Sequence, residues 1–310
     1  MDPCPICGSA ARISEVVEGG FAYARCRTCT TLSLNPLPDP SAVRRWYCSD
    51  RGVTYHRAAD IFRALERRAE ARWRWSIVRR YIPRRGGAVL EVGCGAGYFL
   101  EQVRRSGRRA FGLELGEDDA RFARSVLGLD VRVGTLEDRP FGYGRFDAVV
   151  LFEVLSHLRD PVATLREVRS LLAPGGVLIL ETGNAAEVPA GRRSALGAPE
   201  HIHHFGRRGV RILLDRAGFR IVGMISRCVE WQRAVLRLGA IRRRAGPFGG
   251  TAAAEVPAVR PWWKEAASLA LLALRFEAGR IGADSRKSLT LFVAAQPCVI
   301  HATADRGPKA

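Results

Sequence analysis

Between residues 88 and 97 a short apolar run, Ala88 to Val92, opens into three glycines at alternate positions, Gly93, Gly95 and Gly97, and a helical pattern follows from Tyr98 to Ser106. A glycine-rich turn between a buried strand and a helix lets the backbone approach a ligand closely and aims helix N-terminal amides at it. Alternating glycines alone arise by chance. Here Glu91 precedes them and Glu114 closes the next strand about twenty residues on, where a carboxylate can accept hydrogen bonds from both hydroxyls of a ribose. A dinucleotide site places its third glycine one residue later, to make room for a pyrophosphate. The pattern here is instead ExGxGxG.

Strand and helix alternate around this turn. Ala110 to Leu113, Val131 to Val133, Phe146 to Phe152 and Val177 to Glu181 read as strands. Helical patterns run from about Asp118 to Leu127 and from Pro161 to Leu172, the latter closed by Pro174-Gly175-Gly176. Arg208 to Ala217 is a further helix ended by Gly218, Arg220 to Ser226 a strand, and Ser288 to Ala294 the last strand. Strands separated by helices of about ten to fifteen residues imply a mainly parallel sheet with right-handed crossovers. Ahead of this core, Ser41 to Tyr47 and about Ala58 to Tyr81 carry helical patterns, the second dense in Arg.

The N-terminus has a different logic. Cys4-Pro5-Ile6-Cys7-Gly8 and Cys26-Arg27-Thr28-Cys29 form two CxxC knuckles separated by eighteen residues. Ser14 to Val17 and Phe21 to Arg25 make a hairpin between them, turning at Gly19-Gly20. Each knuckle brings two thiolates to one side of a metal, so Cys4, Cys7, Cys26 and Cys29 close a tetrahedral Zn²⁺ site, structural because all four positions are filled. Cys48, Cys94, Cys228 and Cys298 are scattered and read as small core residues. The stretch Asn35-Pro36-Leu37-Pro38-Asp39-Pro40 stops regular structure and serves as a linker.

Composition narrows the partners. At 47% apolar and 26% charged residues the chain has the balance of a soluble globular protein. Its apolar stretch from Ala266 to Leu274 falls short of the roughly 20 residues a membrane span needs, and the first ten residues hold no apolar signal core. A cytoplasmic protein is expected. The net charge of +18 invites a nucleic-acid partner. It is discounted because the only lysines are Lys264, Lys287 and Lys309, and an Arg excess can come from GC-rich codons alone.

The motifs extend in order along the chain. Phe146-Asp147-Ala148-Val149-Val150 leads to Glu153-Val154-Leu155-Ser156-His157-Leu158-Arg159-Asp160-Pro161, and Leu171-Leu172-Ala173-Pro174-Gly175-Gly176-Val177-Leu178 forms a second turn into a strand. With the ExGxGxG loop and Gly134-Thr135-Leu136-Glu137-Asp138, this set resembles the class I S-adenosylmethionine-dependent methyltransferases over roughly residues 85 to 225. The resemblance implies a Rossmann-like α/β sheet with helices on both faces, here with a small N-terminal zinc ribbon added. It implies that Glu91, Gly93, Cys94, Gly95 and Gly97 surround the methionine part of S-adenosylmethionine and that Glu114 holds the ribose. Leu136 and Glu137 would meet the adenine, while Phe152 and Glu153 would border the sulfonium and the incoming substrate. Thr135 and Ser156 depart from the family, standing where many relatives have Asp and Glu.

Methyl transfer from a sulfonium needs an aligned nucleophile and, for some acceptors, a base. Glu200-His201-Ile202-His203-His204-Phe205 follows the fifth strand, so His201, His203 and His204 are the candidate bases. Capping or packing of the next helix is the plain alternative for them. His157 reads as a structural hydrogen-bonder. The expected organisation is a ribbon at 1–34, a linker with helices at 35–84, the cofactor-binding core at 85–229, a helical insertion or lid at 230–287, a final core strand at 288–298 and a tail at 299–310. The expected function is methyl transfer to a small molecule, such as a nucleotide-linked sugar or a secondary metabolite. An RNA methyltransferase using the ribbon and the Arg-rich surface, and a non-catalytic adaptor that keeps the fold, are the alternatives.

Overall fold

The computed structural model describes residues 1–39, 41, 61–82, 86–184, 186, 196–227 and 290–298. The expected helix at 41–47, apart from Ser41, and the lid at 230–287 lie outside them. The chain divides into two units, 1–224 with 291–310 and 225–290; the elements below belong essentially to the first.

A strand with all five residues buried, as β4 (Ala88–Val92) is, belongs at the centre of a sheet covered on both faces. Its neighbours are parallel: Glu91 pairs with Gly112 of β5 (Arg109–Glu114) and with Val150 of β7 (Phe146–Phe152). Outside them run β6 (Asp130–Val133) and β8 (Leu172–Gly183), also parallel to their partners. With β10 (Phe219–Arg227) and β11 (Thr290–Pro297) the order is β10-β11-β8-β7-β4-β5-β6. Chain order therefore reverses beside β4, and the crevice at the carboxyl ends of β4 and β7 is where such sheets bind ligands.

The described helices are α1 (Ile61–Val78), α2 (Tyr98–Arg105), α3 (Glu117–Ser125), α4 (Pro161–Leu171) and α5 (Arg207–Arg216). Asp160 caps α4 by accepting from the Ala163 N–H at 3.0 Å, and Pro161 supplies a first residue that needs no donor. The chain enters β8 directly at Leu172, so Pro174-Gly175-Gly176 lies inside the irregular start of a strand rather than in a free turn. A side chain at Gly176 would sit 2.9 Å from the Ala173 and Phe146 carbonyl oxygens. Leu90, Val149, Leu151, Leu178 and Leu180 form the fully buried sheet core.

The cysteine segment folds as β1 (Arg12–Glu18), β2 (Phe21–Cys26) and β3 (Leu32–Leu34), and its sheet takes a fourth strand from far along the chain, β9 (His203–His204). Thirty-odd residues bury too little surface to fold alone without a staple. Here Cys4, Ile6, Cys26 and Cys29 share one apolar cluster with Phe205, Val210, Leu213 and Leu214 at α5. Burial of Ile6 alone contributes about 1.5–3 kcal/mol. Gly209 of α5 makes the approach close, since a Cβ there would collide with the Thr31 hydroxyl.

Candidate cofactor and acceptor site

The three glycines of the turn do different work. All take positive φ, between 51° and 81°. A Cβ on Gly93 would lie 2.5 Å from Val154, and one on Gly97 would lie 2.6 Å from Leu129 and 3.1 Å from Ala123. These two are needed for packing of the loop and of α2. A Cβ on Gly95 would meet nothing within 4 Å. Its Cα faces open space, so the loop forms an open cradle at this position.

Glu114, at the end of β5, braces this cradle: its carboxylate accepts from the Gly95 N–H and the Gly116 N–H, both at 2.7 Å. Glu91 is 4% exposed, and its Oε2 has no hydrogen-bond partner among the described residues. Burial pushes its carboxyl well above the ordinary range, with Arg74 opposing. A buried carboxyl without a partner beside an open glycine fits a cationic ligand that supplies donors. Asp119, on α3, is raised to about 7 by burial, with Glu114 adding to it. Cys94 is buried under the loop, its thiol raised by burial.

Beyond β6, Leu136 is buried in a single 3₁₀ turn, Leu136–Asp138, while Glu137 is exposed. Asp138 accepts from the Thr135 N–H at 2.8 Å and from its hydroxyl at 3.1 Å, so the loop is closed with Thr at position 135. Phe152 ends β7, and Glu153 follows with φ of 56°, held by its N–H donating to the Glu181 carbonyl at 2.9 Å.

Sequence reasoning missed a group at this end of the sheet. Arg74 of α1 donates to Glu181 at the end of β8 (2.5 Å), pairs with Glu70 (3.0 Å) and lies 4.7 Å over the Phe152 ring. Burial raises Glu181 to about 8 and raises Glu153 too, Arg74 opposing both. One guanidinium thus faces Glu70, Glu91, Glu153 and Glu181. A charged residue ending a fully buried parallel strand was the available signal for Glu181; nothing singled Arg74 out within an Arg-rich helix.

The histidines divide by position. His203 is fully buried in β9, its Nδ1 2.9 Å from the Ser33 hydroxyl, and burial pushes its imidazole down to about 4. His204 is 8% exposed, its ring 5.3 Å from Tyr23. His201 precedes β9, half-buried, with its ring 4.6 Å from His157 in an edge-on arrangement. His157 Nδ1 lies 3.0 Å from the Glu200 carbonyl, and burial lowers this imidazole to about 4 as well. His157, Glu200 and His201 offer ligand atoms within 4.8 Å of one another.

In the ribbon, the four cysteine sulfurs lie within 4.8 Å of one another, with Cys4 to Cys29 and Cys7 to Cys26 both at 3.5 Å. The two knuckles repeat one turn: the Cys4 carbonyl accepts from Gly8 and the Cys26 carbonyl from Thr30, and both fourth residues have positive φ. No helix among the described residues is long and apolar enough to cross a membrane.

A family described as a methyltransferase domain matches residues 54–223. A probable S-adenosylmethionine-dependent methyltransferase of Mycolicibacterium smegmatis is 34% identical over 137 residues, 44% of this chain and 53% of that protein. The ubiquinone biosynthesis O-methyltransferase of Xanthomonas campestris pv. campestris is 38% identical over 136 residues, 42% of this chain and 56% of that protein. The chain thus spans about half the length of the curated relatives it matches. Among solved structures, a putative sarcosine dimethylglycine methyltransferase from Galdieria sulphuraria superposes with a TM-score of 0.53 at 16% identity, covering 74% of this chain and 85% of that one. That likeness bears on the fold, and the family match covers more than half the chain: the protein belongs to the methyltransferase-domain family, with the Rossmann-like sheet of the S-adenosylmethionine-dependent enzymes.

Proposed function

We propose that this protein transfers the methyl group of S-adenosylmethionine to a small-molecule acceptor at the carboxyl ends of β7 and β8. The observation that carries the reading is the Gly95 cradle braced by Glu114, with Glu91 buried and unpartnered behind it. Glu91 and the loop from Gly93 to Gly97 would hold the methionine part of the cofactor, Glu114 the ribose, Leu136 and Glu137 the adenine, and Phe152 and Glu153 the acceptor side. The cofactor supplies an activated methyl on its sulfonium. The chain's own task is to align the acceptor for in-line attack and to take its proton. His201 is the base of this proposal: burial lowers its imidazole below the ordinary value, so it is neutral at pH 7, and unlike His203 it is not locked in the ribbon sheet.

In the ribbon, Cys4, Cys7, Cys26 and Cys29 would hold a structural Zn²⁺. Tetrahedral Zn–S bonds of about 2.3 Å set sulfurs about 3.8 Å apart, close to the separations here. The hydrogen bond from Cys4 and burial raise the Cys29 thiol, and a cation is what lets four thiolates coexist. A small acceptor is favoured over RNA because three arginines of the basic helix are engaged within the domain: Arg67 pairs with Glu70, Arg68 with Glu101, and Arg74 with Glu70 and Glu181. The O-methyltransferase name of the Xanthomonas relative fits a hydroxyl acceptor.

Calorimetric titration with S-adenosylhomocysteine, with zinc determined on the same sample, tests this reading. Micromolar binding that Gly95→Arg abolishes and Glu114→Ala weakens by about tenfold or more is expected. A folded, zinc-loaded protein that binds no S-adenosylhomocysteine overturns the enzyme and leaves the adaptor.

A further inference from the structure

The segment 196–205 lies between two bodies of structure. On the core side, the Ile202 N–H donates to the Ser156 carbonyl at 2.8 Å, and His157 meets the Glu200 carbonyl and the His201 ring. On the ribbon side the contacts are more numerous and come from residues that bind no metal. Glu18, at the tip of the β1–β2 hairpin, receives the N–H groups of Leu196 and Gly197 at 2.7 Å and of Ala198 at 3.3 Å. Tyr23, fully buried, donates its hydroxyl to the His201 carbonyl at 2.6 Å. Leu34 donates to the Ile202 carbonyl at 2.9 Å, Leu32 and Ser33 pair with His204 and His203, and Arg25 reaches the Ala186 carbonyl at 3.0 Å. Tyr23, Leu32, Leu34 and Leu196 close a separate apolar cluster beneath the loop.

We infer that the cysteine ribbon is the positioning module of the acceptor-side loop: Glu18 and Tyr23 set where His201 stands against His157, while the Gly95–Glu114 cradle is built without them. The ribbon therefore acts on the acceptor side of the site and not on the cofactor side, and its state reaches the reaction through one loop. Charge-assisted hydrogen bonds from three successive amides are the strong kind, so one carboxylate carries much of this tether. The cradle draws on β4, β5 and α2, none of which contributes to the ribbon sheet. The role of the loop at the acceptor rests on the function proposed above; its dependence on the ribbon does not.

The test uses the zinc-loaded full chain and its Glu18→Ala, Glu18→Gln and Tyr23→Phe variants. Amide hydrogen exchange is read across 196–204, the His201 ring is titrated by NMR against a His201→Gln reference, and S-adenosylhomocysteine binding is measured. In Glu18→Ala we expect exchange at Leu196, Gly197 and Ala198 to speed up by about tenfold or more, and the His201 titration to rise toward the ordinary imidazole value as the ring gains water, because burial acts on this ring more strongly than the lost Glu18 charge. Glu18→Gln keeps an acceptor oxygen and loses the charge that favours the imidazolium. It should retain most of the protection and move the His201 titration the other way, a divergence that general loosening does not produce. Tyr23→Phe should raise exchange around His201 even if Glu18→Ala fails to fold. Dissociation constants for S-adenosylhomocysteine should stay within about twofold of each other. Unchanged exchange in both Glu18→Ala and Tyr23→Phe overturns the inference, as does cofactor affinity that falls in step with loop protection. If the unmodified protein binds no S-adenosylhomocysteine, the proposed function fails while the exchange and titration data still decide the role of the ribbon.

Discussion

His203 turns the join between ribbon and core into a liability in acid, and the size of the effect follows from its surroundings. Its imidazole is fully buried, with Nδ1 against the Ser33 hydroxyl, and burial lowers its titration from 6.5 to about 4. A histidine held down in the fold binds fewer protons there than when unfolded. Its full contribution to stability is therefore present above about pH 6.5 and is lost as pH falls through the unfolded value toward 4. The whole shift corresponds to about 3 kcal/mol, and linkage places about 2 kcal/mol of it between pH 7.5 and pH 5. In His203→Asn the side-chain amide can keep a hydrogen bond to Ser33 without titrating. The assay is urea unfolding of both proteins at pH 7.5 and at pH 5. The unmodified chain should lose about 2 kcal/mol more than the variant over that interval. His157 titrates in the same window, and acid release of the proposed Zn²⁺ would also weaken the fold. Both act on the two proteins alike, so the difference isolates His203. Equal losses would refute the reasoning and mean that the β3–β9 seam opens to water before His203 charges.

The glycines of the cradle should separate binding from stability. Gly97→Val puts a branched side chain against Leu129 and Ala123 and should cost about 3 kcal/mol in urea unfolding, whereas Gly95→Ala should cost about 1 kcal/mol from its positive φ alone and chiefly impair S-adenosylhomocysteine binding. Arg74→Leu leaves Glu70, Glu153 and Glu181 facing one another without their cation. It should destabilise by about 3 kcal/mol or more at pH 8, and by less at pH 5.5, where raised carboxyls hold their protons; a penalty independent of pH would refute an electrostatic cause.

The core was legible because its signals are local. Ala88–Val92 is apolar throughout because both of its faces are covered, and the spacing of Gly93, Gly95, Gly97 and Glu114 expresses a turn whose bonds all form within one βαβ unit. The cysteine knuckles repeat one hydrogen-bonded turn and are equally local. Neither periodicity nor spacing could show that His203 and His204 are a strand of the ribbon. Two residues carry no alternation, and the partners, Leu32 and Ser33, lie some 170 positions away in sequence. The same holds for Glu18, whose amide partners are 178 to 180 residues distant, and for Arg74, 107 residues from Glu181. Within the four residues 201–204, His201, His203 and His204 were equivalent candidate bases. Their separation into a locked His203, a ring-packed His204 and a half-buried His201 comes from pairing that only the fold supplies.

The net charge of +18 has the opposite sign from the site. At the carboxyl ends of β4, β7 and β8 stand Glu91, Glu153 and Glu181, joined by Glu70 from α1, against the single guanidinium of Arg74. Burial raises Glu91, Glu153 and Glu181, so these three meet a cation by shedding protons rather than by presenting fixed charges. That suits a sulfonium cofactor and resists a phosphate. An acceptor carrying a diphosphate, as a nucleotide-linked sugar does, must therefore place its phosphates away from the Glu70, Glu153 and Glu181 wall and offer only its sugar to the crevice. An RNA strand would have to bring a base past the same carboxylates, while α1's Arg67, Arg68 and Arg74 stay paired within the domain. Under the function proposed above, this local charge would select for an uncharged reacting group, whatever the rest of the acceptor carries.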